Sequence, residues 1–235
     1  MKQISIYIRK FLFALIILAN PSLLFAQNSD WRLWTSIDAE KKLSENWDLT
    51  IGAQYRWMDI ISVTDQIRGS TDVFWTLGKY IQLGAGYELI ARKNAQEDIF
   101  VYRNRFRVQS RVQYRYAQFT VDWRFRTQLT MIEKEDFSGG ITFDNQYHRW
   151  ALRNRFRLRY NIRNTPLRPY LSFELFHQPL SVLEYRYIQN RFTIGSVFNI
   201  NQSHNIEVDY RLETEIVDAN KFRYNIVKIG YVFSF

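Results

Sequence analysis

The chain has 235 residues, with 32 lysines and arginines against 23 acids, a formal net charge of +9 and no cysteine. The missing cysteines exclude a disulfide-stapled secreted module and a lipid-modified N-terminus, so the fold rests on packing and hydrogen bonds. No Gly/Ser/Pro-rich linker divides the chain, which reads as one folded unit behind a leader.

The opening MKQISIYIRKFLFALIILANPSLLFAQ places Lys2, Arg9 and Lys10 before an apolar run from Phe11 to Ala19, followed by Pro21 and Ala26. It has the form of a signal peptide, too short to span a bilayer and with no stop-transfer pattern behind it. Residues 1–26 are expected to be removed and residues 27–235 to be exported and folded. Without those three cations the basic residues number 29 against the same 23 acids, so the net charge falls from +9 to +6.

Strands are expected over 31–41, 47–57, 70–78, 81–91, 100–115, 118–130, 147–162, 168–177, 185–198, 204–216 and 223–235. From 47 to 57, Trp47, Leu49, Ile51, Ala53, Tyr55 and Trp57 alternate with Asp48, Thr50, Gly52, Gln54 and Arg56. Period two is the signature of an extended strand with unlike faces. In RNRFRVQSRVQYRY, Arg103, Arg105, Arg107 and Arg111 share one face and Phe106, Val108 and Val112 the other. Arg124 and Arg126 fall on the polar face of the next segment. RNRFR returns at 153–157, where Arg153, Arg155, Arg157 and Arg159 oppose Trp150, Leu152, Phe156 and Leu158. Further on, Glu174, Arg191 and the run Glu207, Asp209, Arg211 and Glu213 occupy polar faces in the same way.

Strands of ten or more residues exceed the usual globular length of about five or six. A soluble sandwich would need ordinary strands and a covering sheet. A transmembrane barrel instead turns its apolar face to lipid and its polar face to a lumen, with segments of about ten alternating residues. Trp47 and Trp57, or Trp150 and Tyr160, lie about ten residues apart, roughly 33 Å at ~3.3 Å per residue, which suits anchors at both headgroup layers. The expected fold is therefore all-β: a transmembrane antiparallel up-and-down barrel of ten to twelve strands in the bacterial outer membrane. Tight connections at 42–46, 79–80, 116–117, 163–167 and 199–203 alternate with longer ones at 58–69, 92–99, 131–146, 178–184 and 217–222. Short periplasmic turns and long outer loops give that asymmetry. The segments number eleven, whereas bacterial single-chain barrels close with an even number. Either 31–41 lies outside the sheet, leaving ten, or a twelfth strand is hidden.

The chain ends KIGYVFSF. Lys228, Gly230, Phe233 and Phe235 resemble the outer-membrane assembly signal, and the resemblance implies insertion by the barrel-assembly machinery. The WRLWTSIDAEKKLSENWDL opening and Arg168-Pro169-Tyr170 leading to Glu174 resemble outer-membrane barrel families known only as domains of unknown function. In size and arginine content the chain is also similar to small porins that pass acidic oligosaccharides.

These arginines, with Glu174, Glu207, Asp209 and Glu213, are expected to line the lumen. Cations on one wall and carboxylates on another either draw small anionic solutes through the barrel or pair across it and close it. Outer-membrane lipid is the expected surrounding partner. No nucleic acid is expected, because export, the separation of aromatics from arginines and the balancing acids all oppose a phosphate-tracking groove. His148, His177 and His204 stand near strand ends. Ser172 and His177 fall on opposite faces, as do Ser203 and His204, so no strand carries a Ser–His dyad; a dyad formed across strands would make the barrel a lipid-modifying enzyme, the lesser alternative, and neither catalysis nor a metal or other cofactor is expected.

Overall fold

The computed structural model describes residues 29–94, 98–132, 134–135, 141–142, 148–179, 186–217 and 220–235. The expected signal peptide, and Gly139 and Gly140 of the longest loop, lie outside the described residues.

The chain is all-β. Its strands are β1 Ser29–Lys42, β2 Trp47–Met58, β3 Val63–Leu77, β4 Ile81–Asn94, β5 Ile99–Tyr116, β6 Phe119–Ile132, β9 Arg149–Tyr160, β10 Leu167–Gln178, β11 Arg186–Asn199, β12 His204–Val217 and β13 Asn220–Ser234. A two-residue ladder, β7 Lys134–Glu135 with β8 Ile141–Thr142, rises between β6 and β9. The eleven long strands close one barrel in the order β1-β13-β12-β11-β10-β9-β6-β5-β4-β3-β2.

Eleven strands close the sheet among the described residues, within the expected ten to twelve and equal to the number of segments read, and neither the ten- nor the twelve-strand alternative holds. The 31–41 segment is inside the sheet as part of β1, and no twelfth long strand is needed. Successive neighbours run antiparallel, so with an odd number the first and last strands must point the same way. β1 and β13 accordingly pair in parallel, from Ser29 opposite Arg223 to Glu40 opposite Ser234. Closure leaves no open sheet edge along the wall.

The expected loop at 58–69 is also corrected. β3 begins at Val63, and the connection from β2 is a tight turn in which Asp59, Ile60 and Ile61 have φ of 52°, 54° and 68°. β-Branched residues rarely adopt that left-handed conformation, so the turn carries no Gly or Asn signal to read. Gly69 and Thr71 face outward on β3 and blur the apolar alternation that marks the other strands. The connection from β12 to β13 is likewise short. Long connections at that end remain between β6 and β9 and between β10 and β11.

The barrel is inside-out relative to a water-soluble fold. Ile51, Val108, Trp123, Phe156, Phe173 and Ile229 point outward and stay exposed, while Asp122, Glu174 and Asp209 are buried within. Aromatic pairs mark both rims: Trp47 stacks on Trp75 with centroids 6.0 Å apart at the short-turn end, and Tyr55 meets Trp57 at 4.2 Å near the other. An outer wall of this composition suits hydrocarbon, where a closed ladder pairs the backbone groups strand to strand.

Candidate functional site

Adjacent strands bring the arginine-rich segments together. β6 lies between β5 and β9, so the two ladders form one wall rather than two. In register, Arg111 stands opposite Arg124, and Arg124 opposite Arg155. Arg126 stands opposite Arg153 in the same way.

Carboxylates are also set into this wall: of those expected on another wall, Glu174 belongs here, whereas Glu207, Asp209 and Glu213 stay apart on β12. Glu174 of β10 is the register partner of Arg155 on neighbouring β9. Its oxygens receive Arg124 Nη2 at 2.7 Å, Arg153 Nη2 at 3.0 Å and Arg191 Nη1 at 3.3 Å. Asp122 accepts from Arg157 Nε at 2.6 Å and Arg155 Nη2 at 3.2 Å. Toward the other side of β5, Arg105 Nη1 lies 2.8 Å from Glu88, and both Nε and Nη2 of Arg107 donate to Asp72. Gly86 makes the second pairing sterically open, because a Cβ there would meet Asp72 Oδ1 at 2.0 Å.

β12 carries its own cluster. Arg211 Nε donates to Asp209 at 2.6 Å, Lys228 Nζ donates to Glu207 at 2.6 Å, and the Tyr170 hydroxyl is 2.8 Å from Glu207 and 2.9 Å from Asp209. Glu213 pairs with Arg191, whose Nε donates at 2.8 Å. Arg126 has the Gln109 amide oxygen as its acceptor, at 2.9 Å from Nε. Arg159 and Arg103 sit at opposite ends of the wall, each with a buried Nε that lacks a hydrogen-bond acceptor.

Two regions divide the lumen. Toward the short turns it opens into a cavity of about 1020 Å³, reaching from Arg107, Arg153 and Glu174 out to Lys42, Ser203 and Phe235. Among the described residues its lining holds fourteen lysines and arginines and six acids. Beyond it, the middle of the barrel is packed: Trp34 is 2 % exposed, Ile90 1 % and Ile226 0 %. Arg56 stacks over the Trp34 ring at 3.5 Å, and Arg191 and Arg211, from strands across the seam, approach the same ring at 5.3 Å. Phe176 takes Arg153 at 4.5 Å and Arg191 at 5.0 Å. Guanidinium groups over desolvated rings contribute about 2 kcal/mol each, so these side chains form a cohesive plug.

Arg56, Arg68, Asp72 and Glu88 belong to this lumen and were accessible to the same alternation that marks the ladders. Trp34 was not, because Trp31 and Leu33 beside it are equally apolar and period two then names no inward face.

Ser172 is buried on the inner face of β10 and His177 lies on the opposite parity. His204 Nδ1 shares a hydrogen bond with the Tyr231 hydroxyl at 2.5 Å and stacks on Phe233 at 5.0 Å, in the rim aromatics. At the C-terminus, Lys228 and Gly230 face inward, while the rings of Phe233 and Phe235 stack on each other at 5.3 Å by the short-turn rim.

A family model described as "Protein of unknown function (DUF2490)" matches residues 31–223. No curated protein matches the sequence. Among solved structures, the beta domain of the Bordetella autotransporter Brka aligns with TM-score 0.41 and 10% identity, over 81% of this chain and 82% of that one. The anion-selective porin from Comamonas acidovorans aligns with TM-score 0.35 and 12% identity, over 83% of this chain and 53% of the porin. OmpF of Salmonella typhi, in complex with daunomycin, aligns with TM-score 0.32 and 14% identity, over 72% and 49%. The chain spans about half the length of these porins.

Proposed function

The chain belongs to the DUF2490 family, whose function is unknown, and from its own geometry we propose that it is a bacterial outer-membrane barrel that draws small anionic solutes into its lumen. The apolar outer wall, the export leader and the aromatic C-terminus support placement in that membrane after insertion by the assembly machinery. Short turns in such barrels face the periplasm, which puts the mouth of the cavity on that side.

The observation that carries the reading is the charge of the cavity. Glu88, Asp122 and Glu174 each pair with two or three guanidiniums, Asp72, Asp209 and Glu213 pair with one, and the basic residues bordering the cavity outnumber the acids, so the groups facing the water are mainly cationic. Low-dielectric walls focus that field and raise the local concentration of anions. The Trp34 plug then controls passage, and the described conformation is the closed one.

The test is the reversal potential in planar bilayers under a KCl gradient. Openings of the wild-type protein are expected to prefer chloride, and Arg126→Glu, which orphans no carboxylate, is expected to reduce or reverse that preference. Currents without anion preference would remove the proposal. A second reading, a closed barrel with a structural or receptor role, is favoured by the packing around Trp34; it predicts no wild-type current under any voltage.

A further inference from the structure

We infer that the arginine wall of the cavity, at Arg111, Arg124, Arg155 and Arg159, is a binding site for a phosphoryl dianion, free or carried on a small solute. This rests on the reading of the cavity as one that admits anions and names what that cavity selects.

Arg111, Arg124 and Arg155 are direct neighbours on three adjacent strands. Like charges opposite one another destabilise a sheet, and nothing in the backbone requires three arginines in that row. Two acids abut them, but Asp122 is taken by Arg155 and Arg157, and Glu174 by Arg124, Arg153 and Arg191. Arg111 has no carboxylate in salt-bridge range among the described residues. The Nε atoms of all four arginines are buried and lack an acceptor, and all four side chains border the cavity. Donors in excess of acceptors, with Arg124 and Arg155 anchored by Glu174 and Asp122 and Arg111 and Arg159 beside them without an ion-pair partner among the described residues, make an anion site.

The number of forks selects the anion. A carboxylate offers two oxygens and is satisfied by one bidentate guanidinium. A phosphoryl group offers three terminal oxygens and up to two negative charges, which matches guanidiniums presented side by side from three adjacent strands. The cavity, at about 1020 Å³, has room for a sugar-sized remainder. The continuous wall excludes entry by a lipid headgroup from the side.

The full-length folded protein in detergent, titrated at low salt with orthophosphate, glucose 6-phosphate and acetate in turn, provides the test. Both phosphoryl ligands are expected to bind, with acetate weaker by about tenfold or more. Arg111→Gln is expected to raise the phosphate Kd by about tenfold or more, whereas Lys93→Gln, outside the cavity, leaves it unchanged. Heat-modifiable gel mobility checks folding, and Arg159→Gln replaces Arg111→Gln if the latter does not fold. Acetate binding as tight as phosphate, or an unchanged Kd in the folded variant, overturns the inference. Anion-selective current without phosphate binding also overturns it and leaves the channel standing; phosphate binding without current upholds the site and removes the channel.

Discussion

The Arg56 guanidinium lies 3.5 Å from the centre of the Trp34 ring, its register partner on the inner face of the adjacent strand β1. Arg191 and Arg211 reach the same ring from β11 and β12, so one aromatic side chain ties together strands on both sides of the parallel seam. Trp34→Ala is expected to empty the middle of the lumen and turn infrequent openings into sustained conductance. The lost ring also lowers stability, by about 3–5 kcal/mol as for other buried Trp truncations. Single-channel recording decides: unchanged conductance in a folded Trp34→Ala barrel would show that the block lies elsewhere. Trp34→Phe, which keeps a ring for Arg56, is expected to stay closed.

Glu174 is the shared acid of three arginines. Glu174→Gln leaves Arg124, Arg153 and Arg191 with a neutral neighbour, and the uncompensated buried charge is expected to cost about 3–5 kcal/mol. The urea midpoint of the folded barrel should fall accordingly. Glu45→Gln in the exposed turn after β1 should stay within about 0.5 kcal/mol of wild type. Equal midpoints for the two variants would mean that the lumenal network contributes little to stability.

Two glycines separate the inner face from the outer. A Cβ at Gly86 would overlap the Asp72 carboxylate at 2.0 Å and press on Arg107 Nε at 3.0 Å, whereas at Gly69 it meets nothing within 4 Å. Gly86→Val should therefore cost about 1–3 kcal/mol through overpacking. Gly69→Val should be neutral or stabilising, since a β-branched residue suits a strand. Thermal or denaturant unfolding of both in the same detergent measures the difference, and a neutral Gly86→Val would contradict the inward placement of that position.

Val108 is 60 % exposed midway along β5. In water an arginine there would be harmless. In a bilayer midplane it is expected to cost about 2–4 kcal/mol. Folding Val108→Arg into lipid vesicles and comparing urea midpoints tests the membrane reading independently of any transport, and an unperturbed midpoint would count against a hydrocarbon environment.

Most of the wall was legible in the chain. From Trp47 to Trp57, and through the arginine segments, each strand declares two faces, and the structure turns them as alternation requires. Legibility failed where the local signal was weak: at Gly69 and Thr71, which interrupt the outward apolar row of β3, and at Ile60-Ile61, which make a turn without turn residues. The inner site was legible in membership but not in pairing. That Glu174 would serve Arg124 and Arg191 as well as Arg153 depends on which strands flank β10.

Side-chain direction within a strand is a local property, fixed by the pleat, and so composition and period were enough to assign an apolar exterior and a charged interior. Strand number, the parallel meeting of β1 with β13, the merging of the arginine segments into one wall and the closure around Trp34 are long-range matters. They depend on how the whole sheet curls and on which ends meet, and no window of sequence contains that information.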